Sequence, residues 1–192
     1  MQDAAFDRIA TARLVVRRFA AADAATFAAY RSDPEVARYQ AWDIPYLVED
    51  AEKFVASLAG LAPGTPGTWF QFAVALAATG ALVGDVALRT SRSDPRQAEV
   101  GFSFASAHQH RGYAVEAVAA VLDYAFDRLA MQRVFSITDA RNLRAQRLLE
   151  RLGFRREVEF RDSTWLKGEW AREVLYAKLA SEHRPSEGRG SG

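Results

Sequence analysis

Residues Glu99 to Glu116 (EVGFSFASAHQHRGYAVE) constrain the fold more than any other stretch. Val100 to Phe104 reads as a strand. Ala105 to Arg111 is a short polar turn. Gly112-Tyr113-Ala114 then opens a helix whose apolar residues Val115, Val118, Leu122, Ala125, Phe126 and Leu129 recur every three or four positions. A strand that feeds a helix through a turn leaves the first N–H groups of that helix without intrahelical partners. Those donors, at the positive end of the macrodipole, favour an anion. Gly112 has no side chain to keep a phosphate from the backbone, Ala114 adds almost no bulk, and His110 and Arg111 bring further donors. The stretch is a candidate cradle for a diphosphate, set against the plainer reading of a loop ending in a helix-start glycine.

The rest of the chain narrows the class. Its 192 residues suit one domain with a sizeable core, and 49% apolar with 26% charged residues is ordinary for a folded soluble protein. Lys and Arg number 25 against 24 Asp and Glu, a net charge of +1 that points to neither nucleic acid nor an acidic membrane. Without cysteine there is no disulfide framework, thiolate zinc site or cysteine nucleophile. His108, His110 and His183 are too badly spaced for a metal site, so no metal is expected. No secretory signal or membrane-spanning run is present, and a cytoplasmic protein is expected.

Taken in order, Ala12 to Phe19 is a first strand. Asp23 is placed to cap a helix holding Phe27 and Tyr30. Asp33-Pro34 restarts a short one, and Val48 to Leu61 is amphipathic. After a Pro/Gly linker at 63–67, Trp69 to Leu76 and Leu82 to Arg89 form a hairpin. Gln97 to Ala105 is the central strand. Beyond the long helix, Arg133 to Asp139 is a strand, and Asn142 caps a helix that ends at Gly153. Phe154 to Phe160 and Glu173 to Leu179 close the fold. The order predicts an α/β protein, a mixed sheet of about seven strands with helices on both faces. A single domain over 1–182 and a flexible polar tail over 183–192 are expected.

Gln109-x-x-Gly112-x-Ala114 resembles the acetyl-CoA signature, Q/R-x-x-G-x-G/A, of the GNAT superfamily of N-acetyltransferases, and the element order is that of the GNAT fold. Three further stretches resemble its RimJ/RimL-like branch of ribosomal-protein N-terminal acetyltransferases: Thr11 to Arg17 (TARLVVR) with Ser32 to Tyr39 (SDPEVARY); Asn142-x-x-Ala145-x-Arg147 running to Gly153-Phe154; and Trp165 to Trp170 with Val174 to Tyr176. The likeness spans about residues 11 to 182. It implies acetyl transfer from acetyl-CoA to a primary amine by direct attack in a ternary complex, and a homodimer. Two positions depart from it. Ala145 stands where many members of the branch have Ser. Leu149 stands where many GNATs outside the branch place a Tyr general acid.

On this resemblance the backbone around Phe102 to Phe104 holds pantetheine, and Gln109, His110, Arg111, Gly112, Tyr113 and Ala114 take the diphosphate. Asn142 and Arg147 are further candidates for CoA, against a plain N-cap and a solvated helix face. Glu99 lies on one face of the central strand with Gly101 and Ser103, opposite Val100, Phe102 and Phe104. An acid there needs a task or a partner, so Glu99 is the candidate general base, with Ser103 the weaker catalytic candidate. The competing reading is a surface carboxylate at a frayed strand start. Trp42, Tyr46 and Trp165 are candidates for the acceptor pocket, against core packing. Two other functions stay open: an antibiotic or amino-acid acetyltransferase, and a CoA-binding regulatory or scaffold protein without turnover.

Overall fold

The computed structural model describes residues 2–184 of the protein. Its order is β1 (Arg8–Ala10), β2 (Leu14–Arg17), α1 (Ala24–Arg31), α2 (Pro34–Ala37), α3 (Val48–Ser57), β3 (Trp69–Leu76), β4 (Leu82–Thr90), β5 (Gln97–Phe104), α4 (Tyr113–Asp123), β6 (Arg133–Asp139), α5 (Leu143–Arg151), β7 (Arg155–Leu166) and β8 (Glu169–Leu179). The strands form one mixed sheet in the order β1-β2-β3-β4-β5-β6-β8-β7. It has eight strands among the described residues, not seven. The addition is β1, three residues paired with β2 through Ile9 and Val16, too short to show an alternating pattern in the sequence. Neighbouring strands are antiparallel except β5 and β6, which run parallel.

Helices cover both faces. Ala117, Val118, Val121 and Leu122 of α4 and Leu149 of α5 pack on Val86, Leu88, Val100, Phe104, Val134 and Tyr176 in the larger core. Ala24, Phe27, Ala28 and Tyr30 of α1 and Ala51 and Val55 of α3 pack on Ala73 and Leu82 in a smaller core on the other face. Phe27 is fully buried there, stacked on Phe54 and edge-on to Phe19, Tyr30 and Tyr46. Burying a ring of this kind is worth roughly 1.5–3 kcal/mol.

Local expectations met different fates. Asp33 caps α2 by accepting from the Glu35 N–H, and Asn142 caps α5 by accepting from the Ala145 N–H at 3.2 Å. Gly153 follows α5 at φ +80°, a left-handed residue where glycine costs nothing. Asp23 does not cap α1. Its carboxylate instead takes both Arg17 Nη atoms, at 2.7 and 2.9 Å, and the Ala20 N–H at 2.7 Å. A charged fork outcompetes a neutral amide for a buried carboxylate. The long helix is regular only to Asp123. Tyr124–Arg128 widens into a π turn, with Leu129 N–H bonded back to Tyr124 O.

The last hairpin differs most. β7 and β8 run further toward each other than the pattern indicates, so Trp165 and Trp170 are cross-strand partners beside the Lys167-Gly168 turn. β8 is not at the edge; it lies between β6 and β7, and β7 is the edge strand. Tyr176 points toward α5, bonding Glu150 at 2.9 Å, so Leu175 and its register partners Ile137 and Val158 point to the opposite face. There Ile137, Val158 and Phe160 remain 37%, 42% and 37% exposed. His183 Nε2 lies 2.9 Å from Asp123 Oδ1 with its ring against Phe126; from residue 185 the expected tail lies outside the described residues.

Candidate active site

The site is built where β5 and β6 part. Their parallel ladder joins Gln97 to Arg133, Ala98 to Val134 and Glu99 to Phe135, and goes no further. β5 continues to Phe104 on β4 alone, and β6 continues to Asp139 on β8 alone. From Gly101 onward the facing edges of β5 and β6 therefore carry peptide groups without a ladder partner, and such groups demand hydrogen bonds. An extended ligand with amide groups fits that wedge.

At the mouth of the wedge stands the start of α4. Gly112 is its N-cap at φ +79°, and His110 also has positive φ, at 61°. The turn from 105 to 112 is braced on every side. Gln109 Nε2 donates to Phe104 O at 2.9 Å, and Arg144 Nη1 donates to Gln109 Oε1 at 3.3 Å. The Ser106 hydroxyl donates to Asp33 at 2.5 Å, and Arg13 Nη1 to Arg111 O at 2.9 Å. Gly112 is glycine for two local reasons: its left-handed backbone, and Arg13 Nη2 at 3.2 Å from where a Cβ would stand. The exposed N–H groups of the first turn of α4 and the partnerless edge of β5 are what a diphosphate and a pantetheine arm require.

The side chains fall into place around this wedge. Phe104 is buried and Phe102 half-buried in the α4 core, which turns their backbone, not their rings, to the wedge. Tyr113 and Ala114 are half-buried at the head of α4, and the Arg13 guanidinium lies over the Tyr113 ring at 4.8 Å. Asn142 uses its carbonyl oxygen for the cap, leaving its amide to donate. Arg147 is exposed on α5. Leu149, in the place of the Tyr general acid, is fully buried.

On the opposite face Glu99, Gly101 and Ser103 stand together, register partners of Arg89, Ala87 and Asp85. Glu99 is mostly buried and paired with Arg89, which also lies 5.1 Å over the Trp69 ring. Burial raises its carboxyl above the usual 4.5, Arg89 works against that rise, and the negative charge of Glu173 adds to it. Ser103 is buried.

Asp85 is the acid that sequence reasoning passed over. It is 1% exposed and accepts short hydrogen bonds from the Tyr30 hydroxyl and from Gln71 Nε2. Desolvation pushes its carboxyl up, against Arg31, Tyr30 and Gln71. Arg31 is itself buried in an aromatic cage, its guanidinium 4.0 Å from the Trp42 ring, 4.2 Å from Phe27 and 5.3 Å from Tyr46. Trp42 Nε1 donates to Arg31 O at 3.0 Å. Trp42 and Tyr46 thus pack around a buried cation. Trp165 stands elsewhere, 60% exposed and edge-on to Trp170 at 5.4 Å. That hairpin tip is tied down by Lys167 Nζ donating to Ala37 O at 2.8 Å and by Arg141 to Glu169 at 2.6 Å. Among the described residues no group of three or more His, Cys, Asp or Glu is placed to hold a metal ion, and no helix is long and apolar enough to cross a membrane.

Comparison with known proteins agrees with this geometry. Residues 13–155 match the acetyltransferase (GNAT) domain family model. The chain is 29% identical over 174 residues to the uncharacterized N-acetyltransferase YnaD of Bacillus subtilis, covering 91% of this chain and 98% of that one. Among solved structures, a GNAT-family acetyltransferase from Bacillus anthracis superposes with a TM-score of 0.82 at 28% identity, covering 91% of this chain and 99% of the other. Mycobacterium smegmatis RimJ in complex with CoA-disulfide shares the fold, with a TM-score of 0.75 at 22% identity over 88% of this chain and 83% of that one. A parted parallel strand pair, a braced turn opening a helix at its mouth, and a family match over most of the chain converge: the protein belongs to the GNAT family of N-acetyltransferases.

Proposed function

We propose that the protein, acting as one cytoplasmic domain over residues 1–182, moves an acetyl group from acetyl-CoA to the α-amine of a protein N-terminus, in the manner of the RimJ/RimL-like branch. The observation that carries this reading is the parting of β5 and β6 after Glu99 with the start of α4 at the mouth. The free backbone of Phe102 to Phe104 takes the pantetheine amides. The turn from Gln109 to Ala114 takes the diphosphate through N–H groups, with His110 and Arg111 beside it. From the α5 side the Asn142 amide holds the pantetheine arm and Arg147 contacts a phosphate. A strand N–H polarises the thioester carbonyl, and Glu99, with Ser103 on the same face, receives the ammonium proton directly or through water. An amine needs no enzyme nucleophile, only deprotonation, alignment and a polarised carbonyl; as its C–N bond forms the thioester C–S bond breaks, and, with Leu149 in the place of a Tyr acid, the leaving CoA thiolate takes its proton from water. The name RimJ, on a structural neighbour that holds a CoA-disulfide, supports the ligand and the branch by analogy.

The acceptor side favours a cation. Glu99, Glu173 and Asp139 share one sheet face, and only part of their charge is met by Arg89 and Arg141. Trp165 offers an exposed apolar surface at the rim, while Trp42 and Tyr46 shape the wall through Arg31. The test is release of free thiol, read with DTNB, over a panel of peptides with free N-termini, amino acids and aminoglycosides. Release with the peptides is expected. Release with the small amines alone would favour the antibiotic or amino-acid reading, and binding without release would favour a scaffold.

Ile137, Val158 and Phe160, exposed on the same sheet face as Asp139 and Glu173, support a homodimer whose interface borders the acceptor side. Light scattering at micromolar concentration should give twice the chain mass of 21.2 kDa. Val158→Glu should return the monomer mass.

A further inference from the structure

Glu116 presents a difficulty for the cradle. It is in the first turn of α4, a favourable place for an acid relative to the helix dipole, but its charge sits one turn from where a diphosphate would bind. The chain meets that charge with residues from about one hundred positions away. The Thr11 hydroxyl donates to Glu116 Oε1 at 2.6 Å and the Arg13 N–H to the same oxygen at 2.9 Å. Arg13 Nε donates to Glu116 Oε2 at 2.7 Å, with Nη2 at 2.7 Å from that oxygen. The remaining Nη1 reaches Arg111 O, and the plane of the guanidinium covers Tyr113. The Arg13 side chain is 49% exposed and that of Glu116 18%, so the cation faces outward over the start of α4 and the anion is turned in. Burial opposes ionisation of Glu116, but the bonds from Thr11 and Arg13 prevail and hold its carboxyl below the usual range.

We propose that Thr11 and Arg13 are positioning residues for acetyl-CoA. Arg13 holds the Arg111-Gly112 turn through Arg111 O, and with Thr11 it meets the Glu116 charge that would otherwise face the diphosphate. The inference rests on the diphosphate lying at the start of α4. It makes the turn between β1 and β2 part of the cofactor site, although those strands belong to the far half of the sheet.

Calorimetry with acetyl-CoA and with S-acetyl-pantetheine, which lacks the diphosphate, tests it on the whole chain. Arg13→Met should weaken acetyl-CoA about tenfold and leave S-acetyl-pantetheine within about twofold. Adding Glu116→Gln to Arg13→Met should recover at least about threefold, because the unscreened charge is gone. Glu116→Gln alone should tighten acetyl-CoA or leave it unchanged, since it frees Arg13 toward the diphosphate. This variant decides the matter even if Arg13→Met fails to fold. A purely structural clamp predicts the opposite: Glu116→Gln weakens binding and the double variant is no better than Arg13→Met. Either of those results, or an Arg13→Met protein that binds acetyl-CoA as tightly as wild type, overturns the proposal. Wild-type protein that binds no acetyl-CoA overturns the cradle itself, a separate failure.

Discussion

Gly84→Ala is expected to lower the melting temperature by about 10 °C and to weaken acetyl-CoA binding with it. Gly84 lies on β4 opposite Phe104, where β5 has lost its other neighbour. A Cβ at Gly84 would stand 2.5 Å from the Ser103 carbonyl oxygen and 2.6 Å from Phe104 Cδ1. The oxygen belongs to backbone and cannot swing aside as a side-chain end would. Relief must come from moving the free end of β5 or prying β4 from it. Overpacking of a core typically costs about 1–3 kcal/mol and occasionally more, and a backbone clash belongs at the upper end. At roughly 2–4 °C per kcal/mol for a domain of this size, that is the predicted shift. The control is Gly101→Ala on the next strand, where no atom lies within 4 Å of the new methyl. Its melting temperature should stay within about 2 °C of wild type. Equal melts for the two variants would mean that β5 yields without cost and that its position is not fixed by β4.

Gly84 also marks what could be read before the structure. Local chemistry was legible. Asn142 and Asp33 precede helices with their oxygens available to the N–H groups two or three residues on, and Gly153 follows a helix where a left-handed residue is required. The alternation that puts Glu99, Gly101 and Ser103 on one face is a property of the strand alone and survives folding. What was not legible depends on register and on distant partners. Gly84 is glycine because of Ser103 and Phe104 on another strand. The acid in Leu82–Leu88 is an anomaly in an apolar run, a signal available in the sequence. Its partners Tyr30, Gln71 and Arg31 come from two other elements that no local pattern links to it. Asp23 looked like a cap because it precedes a helix, yet Arg17 claims it from β2. The same holds for Glu116, whose partners Thr11 and Arg13 are brought to it by the sheet. Trp42 and Tyr46 show the limit for loops: their aromatic character is plain in the sequence, but that both rings pack on the Arg31 guanidinium is not.

Glu99→Gln is expected to lower kcat about 10²-fold while the affinity for acetyl-CoA stays within about twofold. The nucleophile is a free amine, and an ordinary primary amine is mostly protonated near neutral pH. A positioned base that removes the proton is typically worth about 10²–10⁴ in rate. Glu99 is on the sheet face that Ser103 shares, two residues before the point where the facing edge of β5 becomes free. Burial, the first cause, raises its pKa above 4.5 against the opposing pull of Arg89, which makes the ionised form a stronger base. Wild-type kcat/KM should fall on the acid side as pH drops through the raised Glu99 value, because the base is then protonated. In Glu99→Gln that acid limb should vanish, and the deficit should shrink at alkaline pH, where the acceptor arrives already neutral. Binding of acetyl-CoA should be spared, because Glu99 is not among the groups proposed to hold it. Arg89 supplies the complementary variant: Arg89→Met removes the partner that lowers the Glu99 pKa, so the acid limb should move to higher pH without loss of the plateau rate. Near-wild-type kcat for Glu99→Gln at pH 7 with the true acceptor would assign deprotonation to solvent and leave Glu99 as one half of an ion pair between β4 and β5.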